Sequence, residues 1–269
     1  VPATSSGPIG VSWLTAILPN LDQGPLYNQT SLSQPGLAAG PPPIKNFYAV
    51  GYQNSGAGIN NLQALSTPVS TFICPSDTST VGNQMLTGGA FAKTNYKACA
   101  GSNWTAWSQG GVSAPAVTWP RGRNSPLSDG VDHGNGIICR GGATTAGGAP
   151  TVTTNTDIRD GASKTILLGE SVSAWSAWSV WFWFDGSTAT CGLPLNLRIP
   201  GTTPDSFASI WQVSDGFMSR HPGGANFAGC DYSVHYVNEQ IDLQVYQALA
   251  TIDGNESVTA DGSTVDWPN

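Results

Sequence analysis

The stretch Arg220–Val237, reading Arg-His-Pro-Gly-Gly-Ala-Asn-Phe-Ala-Gly-Cys-Asp-Tyr-Ser-Val-His-Tyr-Val, constrains this chain most. His221-Pro222-Gly223-Gly224 reads as a turn, because proline fixes φ and glycine permits positive φ. Ala225–Ala228 and Ser233–Val237 are short runs of aromatic and β-branched residues. Gly229-Cys230-Asp231 lies between them, where a hairpin loop belongs. Val234 and Tyr236 alternate with Ser233, His235 and Val237, so one face of the second arm is expected to be buried and the other wet.

The rest of the chain carries the same short-range signals. Ser12–Pro19 has apolar residues at helical spacing, with Ser12 as cap and Pro19 as stop, and Leu21, Leu26 and Tyr27 extend the apolar face. Residues 31–60 read as a long loop with at most one strand near Phe47–Tyr52. A short helix is expected over Leu62–Leu65, then an apolar run ended by a proline turn in Thr67–Asp77. Strands are expected at Thr94–Cys99, Gly136–Cys139 and Thr165–Leu168, the last buried on both faces. Ala174–Phe184, with Trp175, Trp178, Trp181 and Trp183, reads as one or two aromatic strands. Gln240–Ala250 reads as a short amphipathic helix ended by Gly254. Asp160 and Ser163 suit capping of the turn before the Thr165 strand.

A histidine, nine residues, then Asp-Gly closing a hairpin is the signature of a large bacterial family of prepilin-like proteins of unassigned function. His221 and Asp231 have that spacing, and the chain resembles this pseudopilin-related family along nearly its whole length. The blocks "SWLTAILPNLDQGPLYN", "TPVSTFICPSD", "TNYKACAG" and "IDLQVYQALATIDGNE" follow in the family's order. So does Asp160-Gly161-x-Ser163-x-Thr165, an apolar triplet, and Gly169-Glu170. The chain departs from the pattern at Tyr232, where the family has glycine. A tyrosine tolerates the left-handed region poorly, so the turn is expected to lean on Gly229 with a shifted register. The resemblance implies an α+β fold, a pilin-like antiparallel sheet with short helices and long loop insertions. It also implies a long hydrophobic pilin helix with a processed leader ahead of the matched blocks, missing from this sequence, and membrane contact only through that helix.

The 269 residues suffice for a single globular domain spanning 1–269, with insertions near 101–136, 141–156 and 186–216. Charged residues are 10% of the chain, against ~25% in ordinary soluble domains. A surface of Ser, Thr, Asn, Gln and Gly suits an extracellular protein packed against copies of itself. The net charge of −7, without a Lys/Arg cluster, excludes the basic footprint that nucleic-acid binding needs. No apolar run approaches the ~20 residues of a membrane span, and Val1-Pro2-Ala3 reads as loop-like sequence, in which no signal peptide is expected.

Candidates for chemistry are few. Asp160, Glu170, His221 and Asp231, with His133 or His235, would supply a base, an acid and oxygen ligands for a hydrolase or metal site. The weightier reading makes the aspartates turn caps, Glu170 the partner of buried backbone or an arginine, and His221 a hydrogen-bonding partner of the hairpin. No H-E-x-x-H, G-x-S-x-G or phosphate-cradling loop is present. No catalytic or cofactor-binding residue is assigned. Calcium is the one cofactor considered, with Asp129, Asp132, Asp253 and Glu256 as oxygen ligands, though none has EF-hand spacing. Cys74, Cys99, Cys139, Cys191 and Cys230 lack any C-x-x-C pair and are candidates for disulfides with one left over. Cys74 reads as structural, having no base or cation beside it in sequence. Asn28, Asn103 and Asn255 stand in glycosylation sequons.

The expected function is a non-catalytic structural subunit of an extracellular pilus-like or pseudopilus-like filament or surface assembly, whose partners are copies of itself in a homo-oligomer. The alternative is a secreted glycan- or protein-binding module, its ten tryptophans stacking on surface glycans. A metal-dependent hydrolase stands behind both.

Overall fold

A computed structural model describes residues 12–30, 62–78, 91–104, 107–109, 112–114, 131, 134–139, 153–176, 179–182, 186–198, 214–254 and 267. The expected strand near Phe47–Tyr52 and residues 141–152 of the expected loop 141–156 lie outside them, and a 3-10 turn runs Asn155–Asp157 at that loop's end. The fold is α+β. Its centre is a five-stranded mixed sheet in the order β5-β1-β4-β6-β7, made of β1 (Tyr96–Cys99), β4 (Ile166–Glu170), β5 (Thr188–Ala189), β6 (Gly224–Gly229) and β7 (Val234–Asn238). β4 pairs antiparallel with β1 and β6, and β6 with β7, while β5 joins β1 in parallel. Part of the expected insertion 186–216 thus supplies an edge strand. β2 (Trp107–Gln109) and β3 (Val112–Ala114), inside the expected insertion 101–136, form a separate antiparallel pair.

The expected helices form. In α1 (Trp13–Ile17) the Ser12 hydroxyl accepts the Thr15 N–H at 3.0 Å, and donates to the Trp181 carbonyl. Pro19 does not end the chain's helical course: a 3-10 turn runs Leu18–Leu21, and α2 (Gly24–Thr30) follows. Leu14, Leu18, Leu26, Leu65, Phe72 and Trp181 close one core there, with α3 (Leu62–Leu65) beside them. A second core lies between the sheet and α4 (Leu243–Ala248), whose N-terminus is capped by Asp242. There Ile166, Phe217, Phe227, Val237, Tyr246 and Leu249 are all but inaccessible. Burying each such side chain contributes ~1.5–3 kcal/mol. Helix α4 ends at Leu249 in right-handed conformation, with no glycine cap.

Among the described residues, two expected strands do not form. Residues 134–139 form bends, and the N–H groups of Gly136 and Ile137 reach the carbonyls of Ala100 and Cys99 at 3.1 Å each. The segment crosses the end of β1 so closely that a Cβ on Gly134 would sit 1.7 Å from the Ala100 oxygen, too near for a pleated strand. In Ala174–Phe184 the described residues are turns, with one bridge from Val180 to Lys93. Trp175 and Trp181 there are side chains of two different cores.

The hairpin itself closes in an unexpected way. The Tyr232 N–H bonds the Gly229 carbonyl at 3.0 Å, and the Gly229 N–H bonds the Ser233 carbonyl at 2.9 Å. Tyr232 takes the left-handed conformation, φ +67°, and Gly229 does not. The three-residue loop 230–232 is therefore a tight turn followed by a left-handed residue, and the expected shift to Gly229 is overturned. The ring tolerates this position because it is 84% exposed, while Asp231 Oδ1 accepts the Ser233 N–H at 3.0 Å.

Candidate functional site

Four stretches distant in sequence meet at one end of β1, β4 and β6. Glu170 is the last residue of β4 and lies opposite Tyr96, the first of β1. Asn226 of β6 donates its backbone N–H to Glu170 Oε2 at 2.7 Å. His221 stands three positions before β6. Cys74 arrives on the turn Cys74-Pro75-Ser76-Asp77, closed by the Asp77 N–H on the Cys74 carbonyl at 3.0 Å, with proline in the second position that such turns favour.

Asn95, just before β1, holds that turn in place. Its Oδ1 accepts the Cys74 N–H at 3.1 Å, and its Nδ2 donates to Asp77 Oδ2 at 2.6 Å and to the Ser171 carbonyl at 2.8 Å. The Asp77 side chain is only 2% exposed and takes Arg220 Nε at 3.0 Å and Lys93 Nζ at 3.3 Å. Arg220 also lies over the Trp175 ring, 4.9 Å from its centroid, a cation–π contact. The residue preceding His221 is thereby anchored. The His221 N–H donates to Ser219 Oγ at 3.1 Å.

Within this frame Cys74 Sγ, Glu170 Oε1 and His221 Nε2 converge. Sγ is 3.6 Å from Oε1 and 3.9 Å from Nε2, and Nε2 is 3.2 Å from Oε1. Tyr96 borders the cluster. Burial first, then the charges of Cys74 and Glu170, push its phenol above its ordinary value. A Cys–His–Glu relay would use the two ring nitrogens for different partners. Here one nitrogen faces both the thiol and the carboxylate, so the arrangement is a three-donor cluster.

Of the described residues grouped from the sequence as a hydrolase or metal set, Glu170 and His221 are the two brought together. His221 faces Glu170 of β4 and not the hairpin loop. Asp160 reaches across the fold, its Oδ2 accepting from Thr251 Oγ1 at 3.0 Å and the Gly254 N–H at 2.7 Å. It ties down the segment that follows α4. Thr165 Oγ1 donates to the Gly161 carbonyl at 3.1 Å, and the Ser163 carbonyl accepts from Trp267 Nε1 at 2.7 Å. Gly161 adopts φ +99°, a conformation costly for any side chain. Asp231 Oδ1 accepts from Ser233, whose hydrogen bonds hold the carboxyl pKa below the usual carboxylate value. His235 stacks on Trp267 at 4.1 Å.

Of the calcium candidates, Asp253 pairs with Arg159 at 2.9 Å. Asp129, Asp132 and Glu256, like His133, lie outside the described residues. No disulfide joins Cys74, Cys99, Cys139, Cys191 or Cys230 in this structure, and Cys99 and Cys191 approach to 4.0 Å. Asn28 is exposed. Asn103 is 2% exposed, and neither side-chain atom has a hydrogen-bond partner among the described residues. A glycan has no room there, which corrects that expectation; Asn255 lies outside the described residues. Cys74 joins the cluster without having been in the set grouped from the sequence, because His221 reaches it from 147 positions away. The signal available was its block, "TPVSTFICPSD". Among the described residues no helix is long and apolar enough to cross a membrane.

An α+β fold whose most distinctive blocks knot together at the end of its central strands defines the class. Residues 2–244 match a family of proteins of unknown function, DUF1559, and the chain belongs to that family. No curated protein and no solved structure matches it.

Proposed function

We propose that this chain is a non-catalytic building unit of an extracellular pilus-like or pseudopilus-like assembly, in which copies associate through strand β7. The observation that carries the reading is the outer face of that strand. β7 lies at the sheet edge. Its hairpin bears the exposed apolar side chains Tyr232, Val234 and Tyr236, with 84%, 71% and 48% of their surface open. Edge strands in monomeric proteins are usually blunted by charge or proline. This one carries no lysine, arginine or proline between Tyr232 and Asn238. A second copy adding to such an edge would satisfy its backbone and cover its apolar side chains, and a head-to-tail contact of that kind propagates into a filament unless rotation closes it.

The site residues support a structural role as well. Asp77 and Asp160 spend their carboxylates on hydrogen bonds that join segments distant in the chain, and Asp231 spends its own within the hairpin loop. Sedimentation velocity and electron microscopy of the purified chain test the reading. Concentration-dependent association or filaments are expected, and V234K with Y236K should abolish them while thermal unfolding stays cooperative. A chain that remains monomeric at every concentration and forms no filaments rules the reading out.

A further inference from the structure

We propose that Cys74, Glu170 and His221 form a binding site for a single Zn2+ ion. Each residue directs one donor atom to a common point, and the three atoms lie within 4.8 Å of one another. With Zn–S of ~2.3 Å and Zn–N and Zn–O of ~2.0 Å, a tetrahedral centre spaces its donors about 3.3–3.6 Å apart. The observed edges of 3.6, 3.9 and 3.2 Å trace one face of that tetrahedron.

The chemistry of the donors selects the metal. A thiolate excludes Mg2+ and Ca2+, which take oxygen ligands, and a carboxylate is a poor ligand for Cu(I). Zn2+ accepts sulfur, nitrogen and oxygen together. The outer contacts are those a metal site needs. The Asn226 N–H holds Glu170 Oε2 at 2.7 Å while Asn226 Nδ2 makes only a long 3.4 Å contact to Oε1, the oxygen that faces the ion, and Asn95 fixes the Cys74 backbone. Such partners orient ligands and tune affinity.

The Glu170 side chain is 5% exposed, but that of His221 is 28% exposed, so the ion has a path from solvent and water fills the fourth position. Binding displaces the Cys74 thiol proton to solvent, so affinity falls as pH is lowered. The ion joins three segments that are 51 to 147 positions apart (221 − 170 = 51; 221 − 74 = 147), and it stabilises the folded chain by mass action. This site does not depend on the association surface at β7, and either could exist without the other.

Equilibrium dialysis of the full chain against Zn2+, with metal analysis, should find one ion per chain. Replacement by Co2+ should give a thiolate-to-metal charge-transfer band. Cys74→Ser should abolish that band and weaken Zn2+ binding by more than the ~10–100-fold that loss of an outer partner costs, whereas Cys230→Ser should keep both. X-ray absorption at the zinc edge of the unaltered chain needs no variant to fold, and should show one sulfur at ~2.3 Å beside nitrogen and oxygen ligands. A folded chain that binds no Zn2+, or whose bound zinc has no sulfur ligand, overturns the proposal.

Discussion

Tyr232 shows how a single residue can depart from a family pattern without changing the turn it sits in. The left-handed conformation at the end of the 230–232 loop is dictated by the two backbone bonds between Gly229 and its partners Tyr232 and Ser233. Glycine adopts it freely, whereas a side chain costs ~1–2 kcal/mol. Tyrosine is accommodated because its ring leaves the surface. Y232G is therefore expected to stabilise the fold by about 1 kcal/mol, offset in part by the greater freedom of glycine in the unfolded chain. Urea unfolding would measure it, and a lower midpoint for the variant would contradict the account. The need for a special residue was visible in the sequence; which residue met it was not. Local propensity favoured Gly229, but the hydrogen-bond register of β6 with β7 put the strain at Tyr232.

At the scale of elements, the turn Cys74–Asp77 is held by contacts and not by a strand. Asp77 accepts from Asn95, Arg220 and Lys93, so one buried carboxylate fastens the turn to the start of β1 and to the segment leading into β6. Removing one partner of a buried ion pair costs ~3–5 kcal/mol. Arg220 and Lys93 keep 30% and 19% side-chain exposure, which lets water take up part of the loss. D77A is expected to destabilise by about 3 kcal/mol, read from the denaturant midpoint, and a change under about 0.5 kcal/mol, the usual span for surface substitutions, would show the turn to be held elsewhere. Helices α1, α3 and α4 and the β6–β7 hairpin were legible from caps, turns and periodicity. Among the described residues, the strands expected at 136–139 and within 174–184 are not formed. Apolar content there serves packing across the end of β1 and between two cores, which residue periodicity does not distinguish from a strand.

For the whole molecule, burial in the core between the sheet and α4, and in the hairpin loop beside it, holds ionisable groups in their protonated forms. Burial, then the neighbouring Cys99 and Asp231 charges, raises Cys230 from 9.0 to about 12. Burial likewise pushes Cys191 and Tyr246 well above their ordinary values. On the alkaline side the unfolded chain loses these protons first, so it binds fewer protons than the folded chain and stability falls as pH rises. The stability present below pH 9 is expected to decline between about 9 and 12, the window that the Cys230 values define. Unfolding midpoints at about pH 8 and about pH 11 would check this, and equal midpoints would refute it. Acid has a separate effect through Asp231, whose lowered value makes its contribution present above the unfolded carboxylate range and lost below it.

The sequence by itself determined the α+β class, the hairpin, the short capped helices and the order of the family blocks, because turns, caps and alternation act over a few residues. Only the tertiary structure decided that Cys74, Glu170 and His221 share a point in space and that Val234 and Tyr236 face outward. It also decided that Asp160 caps the chain 94 positions away. Those facts depend on strand order and register, which are set by packing between segments distant in the chain.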